Sequence, residues 1–135
     1  MPRPFLDTNV LLRHLRQDDP SLSPRASVIV ARIEQGELQV RTSDTVVFEV
    51  VFTLQRTYKQ TPAQIQQHLL PILGLRDLQL ANKPIFLQAL DLYVQHRISF
   101  ADAFNAAFML HRGISEIYSF DTDFDSLPGI SRLEP

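Results

Sequence analysis

A chain of 135 residues with 44% hydrophobic residues is long enough to bury a core, so we expect one domain spanning residues 1–135. The absence of cysteine excludes disulfides, thiolate zinc sites and a cysteine nucleophile, and no apolar run approaches the roughly 18 residues of a membrane span. The net charge is −2 and the N-terminus lacks a signal-peptide pattern, so a cytoplasmic protein without membrane contacts is expected.

Strands and helices are predicted to alternate along the chain. Short strands are predicted at 3–6, 38–41, 78–80 and 116–120, with one more in the tail after 121. Helices are predicted at 8–16, 23–35, 45–57, 62–73, 83–96 and 99–112. Thr8 or Asn9 is expected to cap the first helix, and Ser23, followed by Pro24, the second. Ser43 or Asp44 is expected to cap the third helix, and Thr61, followed by Pro62, the fourth. The alternation predicts an α/β fold, a three-layer α/β/α sandwich with a central, mostly parallel sheet.

Five acidic residues stand beside or inside apolar runs, where acids are rarely found unless paired or bound to a cation. They are Asp7, Glu49, Asp102, Asp121 and Asp123. Asp7 and Asp121 each follow a predicted strand, at the sheet edge where α/β proteins bind ligands. Clustered carboxylates need a compensating positive charge, and oxygen ligands suit Mg²⁺ or Mn²⁺. The pattern therefore predicts a divalent metal site.

Each acid also has a structural explanation. Asp7 fits turn and helix-cap chemistry, and Glu49 fits the one solvent-facing position of an apolar helix. Asp102 fits the first turn of a helix that begins near Ser99, and Asp121 with its neighbour Asp123 fits a turn at a strand end. Only the joint spacing over four segments favours the metal site.

The remaining charges permit a nucleic-acid partner. Without the five acids, 10 acidic and 13 basic residues remain, so the rest of the surface is mildly basic. Arg13 and Arg16 follow Asp7 on the first helix and are candidates for contacts with a phosphate backbone. The four histidines show no metal-ligand spacing, and the four glycines form no phosphate-binding loop.

Four segments in order carry a resemblance to a known family. They are FLDTNVLLRHL (5–15), VFEVVFTL (47–54), SFADAFNAAFMLHRG (99–113) and YSFDTDFDSLPGI (118–130). Together they resemble the PIN domain, and within it the small VapC-type toxins of bacterial and archaeal toxin–antitoxin pairs.

The resemblance implies a metal-dependent endoribonuclease that is neutralised by an antitoxin protein. It implies that four acids hold Mg²⁺ or Mn²⁺, with Asp123 as a further acid near the metal and with Asn9 and Ser119 as polar support. The four acids are Asp7, Glu49, Asp102 and Asp121. Water would be the nucleophile, leaving 5′-phosphate and 3′-hydroxyl ends on the RNA.

Three alternatives stay open at this stage. A phosphatase of the haloacid-dehalogenase type also uses acids at strand ends, but its motif has an acid where Asn9 stands. The others are a PIN nuclease of RNA processing that is not a toxin, and a catalytically silent PIN binding module. The excess of apolar residues on the helix at 45–57, together with the resemblance, also predicts a homodimer.

Overall fold

The computed structural model describes residues 2–135, which group into two compact units, residues 2–81 (unit 1) and Asn82–Pro135 (unit 2). Unit 1 contains α1 (Thr8–Arg16), α2 (Leu22–Glu34), β1 (Val40–Arg41), α3 (Asp44–Arg56), α4 (Pro62–Leu73) and β2 (Leu78–Gln79). Unit 2 contains α5 (Lys83–Gln95), α6 (Phe100–His111), β3 (Glu116–Tyr118), a 3₁₀ helix (Thr122–Ser126) and β4 (Ser131–Leu133). None of the helices in residues 2–135 has the length and hydrophobicity to cross a membrane.

The sheet of unit 1 is short and parallel. Val40 of β1 pairs with Leu78 of β2, and Phe5 forms an isolated parallel bridge to Arg41. The first predicted strand is therefore reduced to a bridge, although the Leu6 N–H donates to the Arg41 carbonyl at 2.8 Å. The chain leaves this bridge directly into α1, so Asp7 stands where the extended segment ends.

Two predicted helix caps were wrong. Asp7, not Thr8 or Asn9, is the N-cap of α1. Helix α2 begins at Leu22 with Ser21, not Ser23, as its N-cap, and the Asp19 carboxylate accepts hydrogen bonds from the Ser21 and Leu22 N–H groups at 2.9 and 2.7 Å. An aspartate can cap a helix as well as a serine or threonine does. At the starts of α1 and α2, an aspartate therefore stands close to the residue that was predicted as the cap.

Helix α3 supplies the core of unit 1. Five of its residues are buried and form one broad face, Val46, Val47, Val50, Val51 and Leu54. Phe48 and Phe52 are only half-buried, with ring centroids 6.0 Å apart. Most of the apolar residues on this helix are thus buried within the chain, and the homodimer stays a prediction.

Unit 2 is built around the helices α5 and α6, which pack against each other, and the buried face of α6 contains small residues. Ala103, Ala106 and Ala107 of α6 are fully buried. An aromatic cluster fills the remaining space, with Phe86 and Phe100 stacked at 6.3 Å. Strands β3 and β4 pair in parallel, which confirms the predicted strand in the tail.

The α/β class predicted from the sequence is confirmed, since the strands of each unit pair in parallel and are accompanied by helices. The prediction of one domain spanning residues 1–135 stays a prediction.

Candidate functional site

In unit 1, Asp7 and Glu49 are joined through Thr8. The Asp7 Oδ1 atom accepts a hydrogen bond from the Thr8 backbone N–H at 2.8 Å. The Thr8 hydroxyl donates to Glu49 Oε2 at 3.0 Å. Two carboxylates that stand 42 positions apart in the sequence therefore share one small residue as hydrogen-bond donor.

Glu49 is the exposed residue of an otherwise apolar stretch of α3. Its neighbours Val50 and Val51 are fully buried, so the helix cannot rotate without exposing them. The burial of that face fixes the side of α3 from which the Glu49 carboxylate projects, and the Thr8 hydroxyl takes one of its oxygens.

In unit 2, Asp102, Asp121 and Asp123 form a carboxylate cluster. Each offers an oxygen atom, and these atoms lie within 4.8 Å of one another. Asp102 stands in the first turn of α6, where its backbone N–H donates to the Ser99 hydroxyl at 3.1 Å. Asp121 caps the 3₁₀ helix, and its Oδ1 accepts from the Asp123 N–H at 2.9 Å.

The cluster is electrostatically unfavourable without a cation. Burial raises the pKa of Asp102 above its ordinary value, and a hydrogen bond with Asp121 and the charges of Asp121 and Asp123 raise it further. A hydrogen bond with Ser99 lowers it and opposes part of this effect. The surroundings therefore penalise a negative charge on Asp102, which is half-buried, whereas Asp121 and Asp123 are exposed.

The donor set fits a hard divalent cation. It consists of carboxylate oxygens only, and oxygens at about 2.1 Å from Mg²⁺ stand about 3–4.2 Å from one another around an octahedron. The separations in the cluster, within 4.8 Å, are close to that range. A bound cation would also relieve the repulsion that raises the pKa of Asp102.

The polar residues named from the sequence divide between the two units. In unit 2, the Ser119 hydroxyl accepts a hydrogen bond from the Asp121 N–H at 3.0 Å, so it supports the backbone that carries this acid. In unit 1, Asn9 is exposed on the first turn of α1.

Arg13 and Arg16 have partners within unit 1. Both lie near Asp18, with Arg13 Nη1 at 3.4 Å from Oδ1 and Arg16 Nε at 3.9 Å from Oδ2. The second distance is too long for a hydrogen bond, and Arg16 Nε is buried without one. The Arg16 guanidinium lies 4.0 Å from the centre of the Tyr58 ring. Arg13 is therefore the more available of the two for a phosphate.

A groove of about 450 Å³ lies between α1 and α2. Its lining is mostly apolar, and Asn9 and two arginines supply the polar groups. The lining residues are Asn9, Val10, Arg13, Leu22, Arg25, Ala26 and Ile29. The composition fits a protein segment with apolar and acidic side chains.

Thr8 was predicted only as a cap residue, and its contact with Glu49 was not predicted. The only signal was its position directly after Asp7, a place that many helix-cap residues share. The contact depends on how α1 packs against α3, which no local pattern records.

The chain is similar to known proteins in three comparisons. The family model of the PIN domain matches residues 5–130. A curated VapC ribonuclease of Aquifex aeolicus (strain VF5) is 26% identical over 131 residues, covering 97% of this chain and 96% of that protein. The crystal structure of Mycobacterium tuberculosis VapC20, a Sarcin-Ricin loop cleaving toxin, aligns at 25% identity over 97% of this chain and 98% of that one, with a TM-score of 0.42. Because the family model covers nearly all of the sequence, this chain belongs to the PIN domain family.

Proposed function

We propose that this protein is a metal-dependent endoribonuclease that acts as the toxin of a toxin–antitoxin pair. The observation that carries the proposal is the cluster of Asp102, Asp121 and Asp123 in a chain that belongs to the PIN domain family. The similarity to a VapC ribonuclease over nearly the full length of both proteins supports RNA as the substrate and an antitoxin as the partner.

The proposed metal ligands are the four acids named from the sequence, with Asp123 beside them. They are Asp7, Glu49, Asp102 and Asp121. Bound Mg²⁺ or Mn²⁺ would supply a water of lowered pKa as nucleophile and offset the charge that builds up on the phosphoryl group. The all-oxygen donor set supports one of these two ions.

The chain's own residues have separate tasks in this proposal. Thr8 holds the Glu49 carboxylate through the hydrogen bond described above and limits its motion, and the Ser119 hydroxyl supports the backbone that carries Asp121. Arg13 contacts the phosphate backbone of the RNA, with Arg16 as a second candidate. The chain has no cysteine, and no histidine lies in the carboxylate cluster, so a mechanism through water fits the residues present.

The antitoxin is proposed to bind in two places. A Lys or Arg of its extended tail would pair with the carboxylates and compete with the metal. An apolar and acidic segment would occupy the groove between α1 and α2, which Arg13 and Arg25 help to line. Ordering of the tail on the toxin would offset part of the binding energy.

A homodimer and a cytoplasmic location complete the proposal. The half-buried Phe48 and Phe52 of α3 support a dimer, because they extend the apolar surface beyond the face that packs in unit 1. A monomeric mass by light scattering at micromolar concentration, without a partner, would remove this part of the proposal.

The decisive experiment measures RNA cleavage by the purified protein with Mn²⁺ or Mg²⁺ and with EDTA. Asp7→Asn and Asp102→Asn should each lower the rate by orders of magnitude with the fold retained. Glu116→Gln is the matched control, since it also removes one exposed negative charge but lies outside the carboxylate sets. Full activity in EDTA or in the Asp7→Asn protein contradicts the mechanism.

The same proteins test the role in the cell. Expression of the wild-type chain should slow growth, co-expression of the gene next to it should restore growth, and Asp7→Asn should be harmless. A protein that cleaves RNA but does not slow growth would instead be a nuclease of RNA processing. A protein that neither binds Mn²⁺ nor cleaves RNA would be a silent binding module.

A further inference from the structure

Thr8 makes two hydrogen bonds with two different carboxylates. Its backbone N–H donates to Asp7 Oδ1 at 2.8 Å and its hydroxyl to Glu49 Oε2 at 3.0 Å. The residue is 8% exposed, so its hydroxyl has little access to water. A buried hydroxyl that points at a carboxylate is a fixed donor rather than a freely rotating one.

The position of Thr8 directs its hydroxyl to Glu49. A threonine inside a helix often donates to the carbonyl four residues earlier. For Thr8 that carbonyl belongs to Pro4, and it accepts a hydrogen bond from the Arg41 N–H at 2.9 Å. Since Thr8 is the first residue of α1, Pro4 also lies outside the helix.

Glu49 needs such a partner more than Asp7 does. A glutamate side chain has three rotatable bonds, and the Glu49 residue is exposed, so it would sample several rotamers without a partner. Asp7 is already fixed by its place at the N-cap of α1. The hydroxyl of Thr8 therefore determines where the Glu49 carboxylate stands relative to Asp7.

We propose that Thr8 is a positioning residue that pre-organises Asp7 and Glu49 as a pair of metal ligands. This inference rests on the proposed function, because it assigns the pair to a divalent cation. The hydroxyl does not touch the metal or the RNA. It holds one Glu49 oxygen and leaves the other oxygen of that carboxylate outside the bond.

The test compares the wild type with four variants in a Mn²⁺ titration followed by calorimetry or electron paramagnetic resonance. Thr8→Val removes the hydroxyl at nearly constant volume, and Thr8→Ser keeps it. Thr42→Val is the matched control, because Thr42 is also buried and its hydroxyl donates at 2.9 Å, but to the Leu6 carbonyl. Loss of a hydrogen-bond partner behind a metal ligand typically weakens metal binding about 10- to 100-fold.

We expect that weakening in Thr8→Val, near-wild-type affinity in Thr8→Ser and an unchanged affinity in Thr42→Val. Thr8→Ala must show the same loss of Mn²⁺ affinity as Thr8→Val. Equal losses exclude the branched side chain of valine as the cause. Urea unfolding in EDTA supplies the structural readout, since both valine variants should lose stability. If Thr8→Val loses stability but keeps the wild-type Mn²⁺ affinity, Thr8 is structural only and the inference is wrong.

RNA cleavage on the same samples separates this inference from the proposed function. If the wild type cleaves RNA and Thr8→Val binds Mn²⁺ as tightly as the wild type does, only the role of Thr8 is contradicted. Weaker Mn²⁺ binding by Thr8→Val in a protein that cleaves no RNA contradicts the proposed function alone. A wild-type protein that binds no Mn²⁺ contradicts both.

Discussion

Asp123→Asn is expected to change the stability of the protein in opposite directions with and without a divalent cation. The substitution removes one charge from the carboxylate cluster and changes little else. The backbone N–H of residue 123 still donates to Asp121 Oδ1, and its carbonyl still accepts from the Ser126 hydroxyl. The side chain therefore contributes mainly repulsion in the metal-free protein and attraction in the metal-bound one.

The size of the repulsion follows from the geometry. Two unit charges 4.8 Å apart repel by about 0.9 kcal/mol in water and about 3.5 kcal/mol at an effective dielectric constant near 20. Asp121 and Asp123 are exposed, so the value for water is closer. Asp123 takes part in two of the three pairs, and salt at physiological strength screens about half of the interaction. The metal-free variant should thus be more stable by about 1 kcal/mol.

Thermal unfolding in EDTA and in excess Mn²⁺ measures both effects. In EDTA we expect the midpoint of thermal unfolding to rise by about 3–4 °C in Asp123→Asn. Mn²⁺ at one hundred times its dissociation constant stabilises the wild type by about 2.7 kcal/mol. The variant should gain less, so the order of stability reverses. Glu116→Gln should follow the wild type in both buffers. Equal stability of Asp123→Asn and wild type in EDTA, or equal gains from Mn²⁺, would refute the reasoning.

Three further substitutions test other parts of the structure. Leu22→Asp, in the groove between α1 and α2, should abolish rescue by the antitoxin in a co-expression assay and leave RNA cleavage intact. Val28→Asp is the control, since Val28 is an exposed apolar residue of the same helix outside that groove, and it should leave rescue and cleavage intact. Burial lowers the pKa of His14 below 6.5, although the charge of Glu34 opposes this effect. Protonation of His14 therefore costs the folded protein stability as the pH falls below about 6.5. Between pH 7 and pH 5, His14→Gln should lose less unfolding free energy than the wild type. The Tyr93 hydroxyl is buried without a hydrogen-bond partner. Tyr93→Phe should therefore raise the free energy of unfolding by about 1 kcal/mol in a urea titration. A loss of stability would show that the hydroxyl has a partner in solution.

Helices were predicted well where one strong local signal marked their ends. Thr61 followed by Pro62 predicted the start of α4, and the structure adds the reciprocal hydrogen bonds of a capping box with Gln64. The predicted helix at 45–57 agrees closely with α3 at Asp44–Arg56, again because Ser43 offers a clear cap. Local chemistry decides these positions, and the sequence records local chemistry.

Strands and contacts between elements were predicted less well. The strand predicted at 3–6 is an isolated bridge at Phe5, since its length depends on which backbone groups of a partner are in reach. The contact between Thr8 and Glu49 joins residues 41 positions apart and depends on the packing of α1 on α3. Asp121 and Asp123 follow the strand predicted at 116–120, so the sequence alone indicates that they lie close together. Their distance from the oxygens of Asp102 could be learned only from the structure.

The structural and the functional explanations of the acids are compatible, which bears on how they are best mutated. Asp7 and Asp121 each cap the helix that follows, and Asp102 stands in the first turn of α6. At the start of the longer helices α1 and α6, the unpaired N–H groups and the helix dipole favour negative charge, which offsets part of the repulsion before any metal binds. Capping uses one oxygen of Asp7 and one of Asp121 and leaves the second oxygen of each outside that bond. Asparagine caps about as well as aspartate, whereas alanine costs about 1 kcal/mol at such a position. Substitution by asparagine therefore removes the ligand charge and keeps the helix start, so a loss of activity in Asp7→Asn reports on chemistry and the same loss in Asp7→Ala would not.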